Sequence, residues 1–175
     1  MRYAVISTSL NPGSKSFALA EAAVEDLKAQ GHGVDLIDLR TLRLPVCDGD
    51  DAYNHEAVEP LTERLKLADG ILVASAVYTY DVNAAAKNLV ELTGEAWEGK
   101  VVGFLLAAGG MGSYMSVMSF ANSLMLDFRC LILPRFVYAM GQHFTAGKLS
   151  DAGVRQRVKD LSLELDRVAG ALAKV

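Results

Sequence analysis

Gly70-Ile71-Leu72-Val73-Ala74-Ser75-Ala76 and Val101-Val102-Gly103-Phe104-Leu105-Leu106-Ala107-Ala108 are the stretches whose reading decides the fold. Neither run alternates apolar with polar residues, and turn-forming residues bound both. A strand apolar on both faces belongs in the middle of a parallel sheet with helices packed on each side. Tyr3-Ala4-Val5-Ile6-Ser7 is a third run of this kind and ends in the polar, turn-rich Thr8-Ser9-Leu10-Asn11-Pro12-Gly13-Ser14. Phe17, Leu19, Ala20, Ala23, Val24 and Leu27 then recur at helical spacing, with Ser14 or Ser16 as the cap and Gly31 as the stop.

The rest of the chain repeats the alternation. Residues 34–39 (VDLIDL) read as a strand and residues 40–53, with Pro45, Gly49 and a polar run from Asp48 to Asp51, as a surface loop. Residues 56–68 read as a helix. Residues 77–82 form a loop carrying two tyrosines, and residues 83–93 another helix. After the glycine cluster at 109–112 a helix runs to about Leu126. Residues 129–133 are the fifth strand, stopped by Pro134, with 136–140 as a short edge extension. Residues 149–173 close the chain as an amphipathic helix opened by Ser150 and Asp151. Strand and helix alternate five times, which requires right-handed crossovers and helices on both faces. The expectation is one flavodoxin-like α/β domain over residues 1–175, a doubly wound five-stranded parallel sheet of order 2-1-3-4-5.

Bulk properties fit this. At 175 residues the chain can bury about two-thirds of its unfolded surface as one domain. A net charge of -4 supplies no basic field for nucleic acid or anionic lipid, so neither is an expected partner. No apolar run reaches the ~18 residues of a membrane helix, and the MRYAVIS start lacks a signal core. The expectation is a complete cytoplasmic protein. Cys47 and Cys130 have no metal-type spacing. Asp48, Asp50, Asp51 and His55 do not follow a calcium-loop pattern and read as a solvated acidic loop, so no metal site is expected. His32, His55 and His143 receive no role, and no catalytic acid, base or nucleophile is assigned.

In a doubly wound sheet, ligands bind outside the carboxyl ends of the strands at the point where strand order reverses, here between the first and third strands. Three loops open there. The first presents Ser9, Asn11, Gly13, Ser14, Lys15 and Ser16 at a helix start, where free N–H groups and hydroxyls suit one phosphate monoester. It matches neither GxxxxGK[ST] nor GxGxxG, and a plain serine-rich turn and cap is the competing reading. The second, Ala76-Val77-Tyr78-Thr79-Tyr80, offers ring faces and backbone groups to a flat ring system; alternatively one tyrosine packs on the next helix and the other faces solvent. The third, Ala108-Gly109-Gly110-Met111-Gly112, leaves backbone N–H groups uncovered, or is simply a flexible turn.

These motifs together resemble the NADPH-dependent FMN reductase family of flavodoxin-like proteins. Ser9-x-Asn11-Pro12-x-Ser14-Lys15-Ser16 is similar to its phosphate loop, with Asn11 where the family usually has a basic residue. Its second motif runs approximately A-T-P-E-Y-N-x-x-x-P-G-x-L-K-N; Tyr78, Lys87 and Asn88 match it, while Ala76, Val77 and Thr79 replace Pro, Glu and Asn, and Asn83 and Ala84 replace the later Pro and Gly. The glycine cluster matches the third. The resemblance covers about residues 2–135 and implies an NAD(P)H-dependent reductase with FMN as cofactor. NADPH or NADH would be the electron donor and a quinone, azo compound, metal ion or free flavin the small-molecule acceptor. The cofactor carries the chemistry, which agrees with the lack of a catalytic side chain. A flavodoxin-like electron carrier without NAD(P)H activity is the alternative. A phospho-receiver domain is excluded because Ser7, Thr8, Ala76 and Val77 stand where its acidic residues must be. The resemblance also implies a homodimer or homotetramer, for which residues 89–92 and 114–126 are the expected surface. Met111, Met115, Met118 and Met125 are expected in a core or at that interface.

Overall fold

In the computed structural model, which describes residues 1–173, the sheet elements are β1 (Arg2–Ser7), β2 (Gly33–Asp38), β3 (Gly70–Tyr78), β4 (Asp81–Val82), β5 (Val101–Ala108), β6 (Leu131–Ile132) and β7 (Val137–Met140). A separate hairpin joins β8 (Phe144–Thr145) to β9 (Lys148–Leu149). The helices are α1 (Lys15–Ala29), α2 (Val58–Lys66), α3 (Ala84–Thr93), α4 (Met118–Phe128) and α5 (Ala152–Leu172). Lys174 and Val175, within the expected domain span, lie outside the described residues.

The main path of the sheet is β2-β1-β3-β5-β6, with β7 also on β5 and β4 on β3. This is the expected 2-1-3-4-5 order with its fifth position shared. β6 pairs with Val101 and Val102, and β7 pairs with the stretch from Leu105 to Ala108, both parallel. Pro134 lies between them and has no N–H to continue the ladder. The expected edge extension is therefore the longer half of the fifth strand. Arg129 does not begin that strand; it ends α4 in the left-handed region at φ 52°.

Burial follows the alternation that the apolar runs demanded. Ala4, Ile6, Ile71, Val73, Phe104 and Leu106 point to one face, under Leu61 and Leu65 of α2, Leu89 and Val90 of α3 and Phe120 and Leu124 of α4. Tyr3, Val5, Leu72, Ala74 and Leu105 point to the other, under Leu19 and Leu27 of α1 and Val158, Leu161 and Leu165 of α5. The buried Trp97 indole donates to Thr93 Oγ1 at 2.8 Å, and Thr93 in turn donates to the Leu89 carbonyl at 2.7 Å, so no polar atom there is stranded. Burial pushes the Cys130 thiol up to about 11, which keeps it protonated and inert.

Four further expectations are corrected. Residues 77–82 are a tight hairpin, because β3 runs on to Tyr78 and pairs antiparallel with β4. The helix after the glycine cluster begins only at Met118, preceded by a 3₁₀ turn at Met111–Ser113. Leu149 belongs to the β8–β9 hairpin, and α5 starts at Ala152, where the Asp151 carboxylate accepts from Val154 N–H at 2.8 Å. Leu89, Val90 and Leu92 are buried in the core, so residues 89–92 offer no docking surface.

Gly103 shows how closely the two faces pack. A Cβ there would lie 2.8 Å from Leu72 Cδ2 and 3.2 Å from Leu161 Cδ1, both in the sealed α1/α5 face. Gly103→Ala should lower stability by about 1–3 kcal/mol through overpacking, read as a lower urea midpoint at unchanged m-value.

Candidate functional site

Because β1, β3 and β5 are adjacent and parallel, their carboxyl ends share one edge of the sheet. Two strand spacings separate the roots of the first and third loops, about 10 Å. The three predicted loops therefore meet on one rim, as the sequence required.

The first loop folds as a β-turn in which Ser14 N–H donates to the Asn11 carbonyl at 3.1 Å, with Pro12 at its second position. Asn11 Oδ1 accepts from Gly13 N–H at 2.8 Å, so Gly13 gives access to the backbone and not a free donor. Ser14 is the N-cap of α1: its hydroxyl accepts from Phe17 N–H at 3.1 Å and lies 2.9 Å from Ser16 Oγ. Ser9 and Ser16 are buried, while Asn11 and Lys15 are exposed. Below the loop, the Ser7 hydroxyl is buried with no partner, an orphan donor at the carboxyl end of β1.

The second loop is the β3–β4 turn. Thr79 and Tyr80 both have positive φ, 51° and 61°. A type I′ two-residue hairpin has such angles at both central positions, and Asn-Gly normally supplies them. Two side-chain-bearing residues here store strain of order 1–3 kcal/mol each, which persists only where the surroundings hold it. The surroundings do hold it. Asp81 Oδ2 accepts from Ser119 Oγ at 3.0 Å, tying the turn to α4, and Asp81 Oδ1 accepts from Val82 N–H at 2.7 Å. The result is that Tyr78 and Tyr80 both stand exposed, at 53% and 58%, against the reading in which one tyrosine packs on the following helix. Ala76 and Val77 lie beneath them, buried and half-buried.

In the third loop, Cβ atoms built on Gly109, Gly110 and Gly112 would meet nothing within 4 Å, and none of the three has a positive φ. Neither crowding nor backbone angle within the fold calls for glycine there. What three bare positions leave is an open strip of backbone after Ala108. Tyr138 of β7 donates its hydroxyl to the Gly110 carbonyl and so anchors this strip. Burial raises the Tyr138 phenol above its ordinary range, with Tyr80 among the lesser contributors.

Asn83, expected as a helix start and as a departure from the second motif, joins the loops from inside. Its Oδ1 accepts from Thr8 Oγ1 at 2.6 Å and from Ser75 Oγ at 2.7 Å, and its Nδ2 donates to the Thr8 carbonyl at 2.8 Å. Its own N–H donates to the Ala76 carbonyl at 3.0 Å. An asparagine before an alanine-rich helix was the available signal; for Tyr138 there was none. Lys87, matched by motif, pairs with Glu91 at 3.0 Å on the surface. Asn88 instead holds the loop at 42–47, accepting from Cys47 N–H and donating to the Pro45 carbonyl, each at 2.8 Å. In the acidic loop, Asp48 Oδ1 accepts from Asp50 and Ala52 N–H groups, and so caps a short 3₁₀ turn.

A cleft of about 890 Å³ adjoins this rim, between α3, α4 and the loop at 42–47. It takes in Leu10, Tyr78 and Thr79 but none of the remaining first-loop residues and none of the glycine cluster. The rim and the cleft are neighbours that share the hairpin. Met111, Tyr114, Met115, Met118, Met125 and Leu126 continue an exposed apolar face beyond it, so these methionines are not core residues.

Removing the Asn83 amide strips the Thr8 and Ser75 hydroxyls and the Thr8 carbonyl of a buried partner at once. Asn83→Ala should cost about 2–4 kcal/mol in chemical denaturation, since three buried hydrogen bonds are lost and the Thr8 carbonyl loses its side-chain donor.

The profile of the NADPH-dependent FMN reductase family matches residues 1–145. The chain is 30% identical over 159 residues to an NAD(P)H-dependent FAD/FMN reductase of Geobacillus thermodenitrificans, covering 87% of this chain and 85% of that protein. It is 27% identical to an NADPH:quinone oxidoreductase of Arabidopsis thaliana, covering 94% and 90%. Among solved structures, the flavoenzyme NAD(P)H:(acceptor) oxidoreductase FerB of Paracoccus denitrificans superposes with a TM-score of 0.79 at 17% identity, covering 97% of each chain, which supports the fold. The chain therefore belongs to the NADPH-dependent FMN reductase family, an α/β flavodoxin-like oxidoreductase of the NAD(P)H-dependent kind with FMN as its cofactor.

Proposed function

We propose that residues 1–175 form one FMN-binding domain in which the three-loop rim holds the flavin and passes reducing equivalents from NAD(P)H to a small acceptor such as a quinone, an azo compound, a metal ion or free flavin. The observation that carries this reading is the open glycine strip facing a strained tyrosine hairpin across the carboxyl edge of the sheet. The residues present fit FMN. Ser9, Asn11, Ser14, Lys15 and Ser16, with the backbone at Gly13, suit the phosphate at the start of α1, where the helix dipole favours an anion. Ala76, Val77, Tyr78, Thr79 and Tyr80 suit one side of the ring system, and Ala108, Gly109, Gly110 and Gly112 its polar edge.

When bound, the flavin supplies the capacity to accept hydride and release electrons. The chain's own part is to bind, orient and exclude. Tyr138 fixes the Gly110 carbonyl, so this part of the strip is set before any ligand arrives. The Asp81–Ser119 contact fixes the hairpin. Preset donors cost less to use than ones that must be ordered on binding. No side chain on the rim is assigned as acid or base.

Purified protein should be yellow, or become so with added FMN, and anaerobic NADPH should bleach it. Steady-state NAD(P)H oxidation with a quinone acceptor should follow. Flavin binding without such turnover would make the chain an electron carrier; no flavin binding at all would end the reading.

The exposed face at Met111, Tyr114, Met115, Met118, Met125 and Leu126 supports assembly as a homodimer or homotetramer, since monomers rarely leave so many apolar side chains together in water. A cytoplasmic setting suits two free cysteines, and among the described residues no helix is long and apolar enough to cross a membrane. Sedimentation velocity should give a dimer or larger, and Met118→Asp with Met125→Asp should shift it to the monomer mass.

A further inference from the structure

The first loop carries no cation within its turn. Asn11 stands at the place of the family's basic residue, and the Lys15 ammonium lies against Gly141 at the end of β7, where a Cβ would come 3.2 Å from it. A guanidinium arrives instead from the neighbouring strand. Arg40 lies in a 3₁₀ turn, Leu39–Thr41, directly after β2. Its backbone N–H donates to Asp38 Oδ1 at 3.1 Å, its Nε lies 3.0 Å from both Asp38 oxygens, and its Nη2 donates to Asp38 Oδ2 at 2.7 Å. Its Nη1 donates to the Pro12 carbonyl of the first loop at 3.2 Å. Its Cζ stands 4.1 Å from the centre of the Phe17 ring in the first turn of α1.

A carboxylate, a carbonyl and a ring face thus fix one arginine against the loop. The arrangement exceeds what folding asks for. Pro12 is exposed, and water would satisfy its carbonyl. Holding a long side chain still costs about 2 kcal/mol of rotamer entropy. A guanidinium has five N–H groups. Asp38 and Pro12 engage three, which leaves one each on Nη1 and Nη2 for a further acceptor. Two spare donors on a rigid planar cation are what bidentate recognition of a phosphate uses. Although burial pushes the other way, the hydrogen bonds from Arg40 hold the Asp38 carboxyl below its usual range, so the pair stays ionised at neutral pH.

We propose that Arg40 is the phosphate-discriminating residue of this site: set by Asp38, Pro12 and Phe17, it makes the first loop prefer a phosphorylated flavin to an unphosphorylated one. This rests on the FMN reading above. Asp38 is its positioning residue.

The test titrates flavin-free full chain with FMN and with riboflavin, following quenching of flavin fluorescence. Arg40→Ala should weaken FMN about tenfold or more, as the loss of a charge-assisted hydrogen bond does, and leave riboflavin within about twofold. Arg40→Gln keeps a neutral donor for Pro12 and should show the same collapse of preference, which guards against misfolding of the alanine variant. Arg40→Lys should restore part of it, and added salt should narrow the wild-type preference. Equal weakening of both flavins would make Arg40 a loop staple only and overturn the proposal, as would an unchanged ratio. Wild-type protein that binds neither flavin would sink the FMN reading itself and this inference with it.

Discussion

The carboxamide of Asn83 ties together the ends of the two strands that define the crevice. Thr8 directly follows β1 and Ser75 lies near the end of β3; neither hydroxyl has another acceptor closer than 3.0 Å, and both converge on Asn83 Oδ1. A buried polar network of this kind is strong only when every member is satisfied, because the low dielectric that strengthens each bond also makes an unpaired group costly. Here each is satisfied. The amide thereby ties the root of the first loop to the root of the tyrosine hairpin.

Around this fixed point the rim divides its labour between strained and empty backbone. The Thr79–Tyr80 turn is held in a conformation its residues disfavour, and the holding comes from the β3–β4 pairing and from Ser119 on α4. The Gly109–Gly112 strip is the reverse: nothing crowds it, and one phenol anchors it. Strain presents side chains outward, while bare glycines present main chain. A flat heterocycle with an apolar body and a polar edge needs one of each. The first loop follows a third device: Ser14 caps the start of α1, and Arg40, in the turn after β2, donates to the Pro12 carbonyl.

The cleft beside the rim and the apolar face beyond it lie on the α3/α4 side of the sheet. The hairpin belongs to both rim and cleft: Tyr78 and Thr79 line the cleft, and Tyr80 stands outside it.

Much of this was legible in the chain. Runs apolar on both faces, such as residues 71–74 and 104–107, read as central parallel strands, because a parallel sheet with helices on each side buries both faces of a strand. Strand–helix alternation then determined the order, the crevice and which three loops meet there, since parallel neighbours must end on one edge. What pattern could not reach were features set by contacts between distant residues. The split of the fifth strand depends on which part of β5 each short segment meets on either side of Pro134. The positive φ angles at Thr79 and Tyr80 contradict local preference and exist only because Ser119 and β3 impose them. Residues 89–92 and the methionines share an apolar composition, yet the sheet buries the first and leaves the second in the open. Arg40 and Pro12 lie on different loops, and only the parallel pairing of β1 with β2 brings them together. Periodicity reports the burial of an element against its own sheet; the meeting of two loops is decided by the three-dimensional path of everything between them.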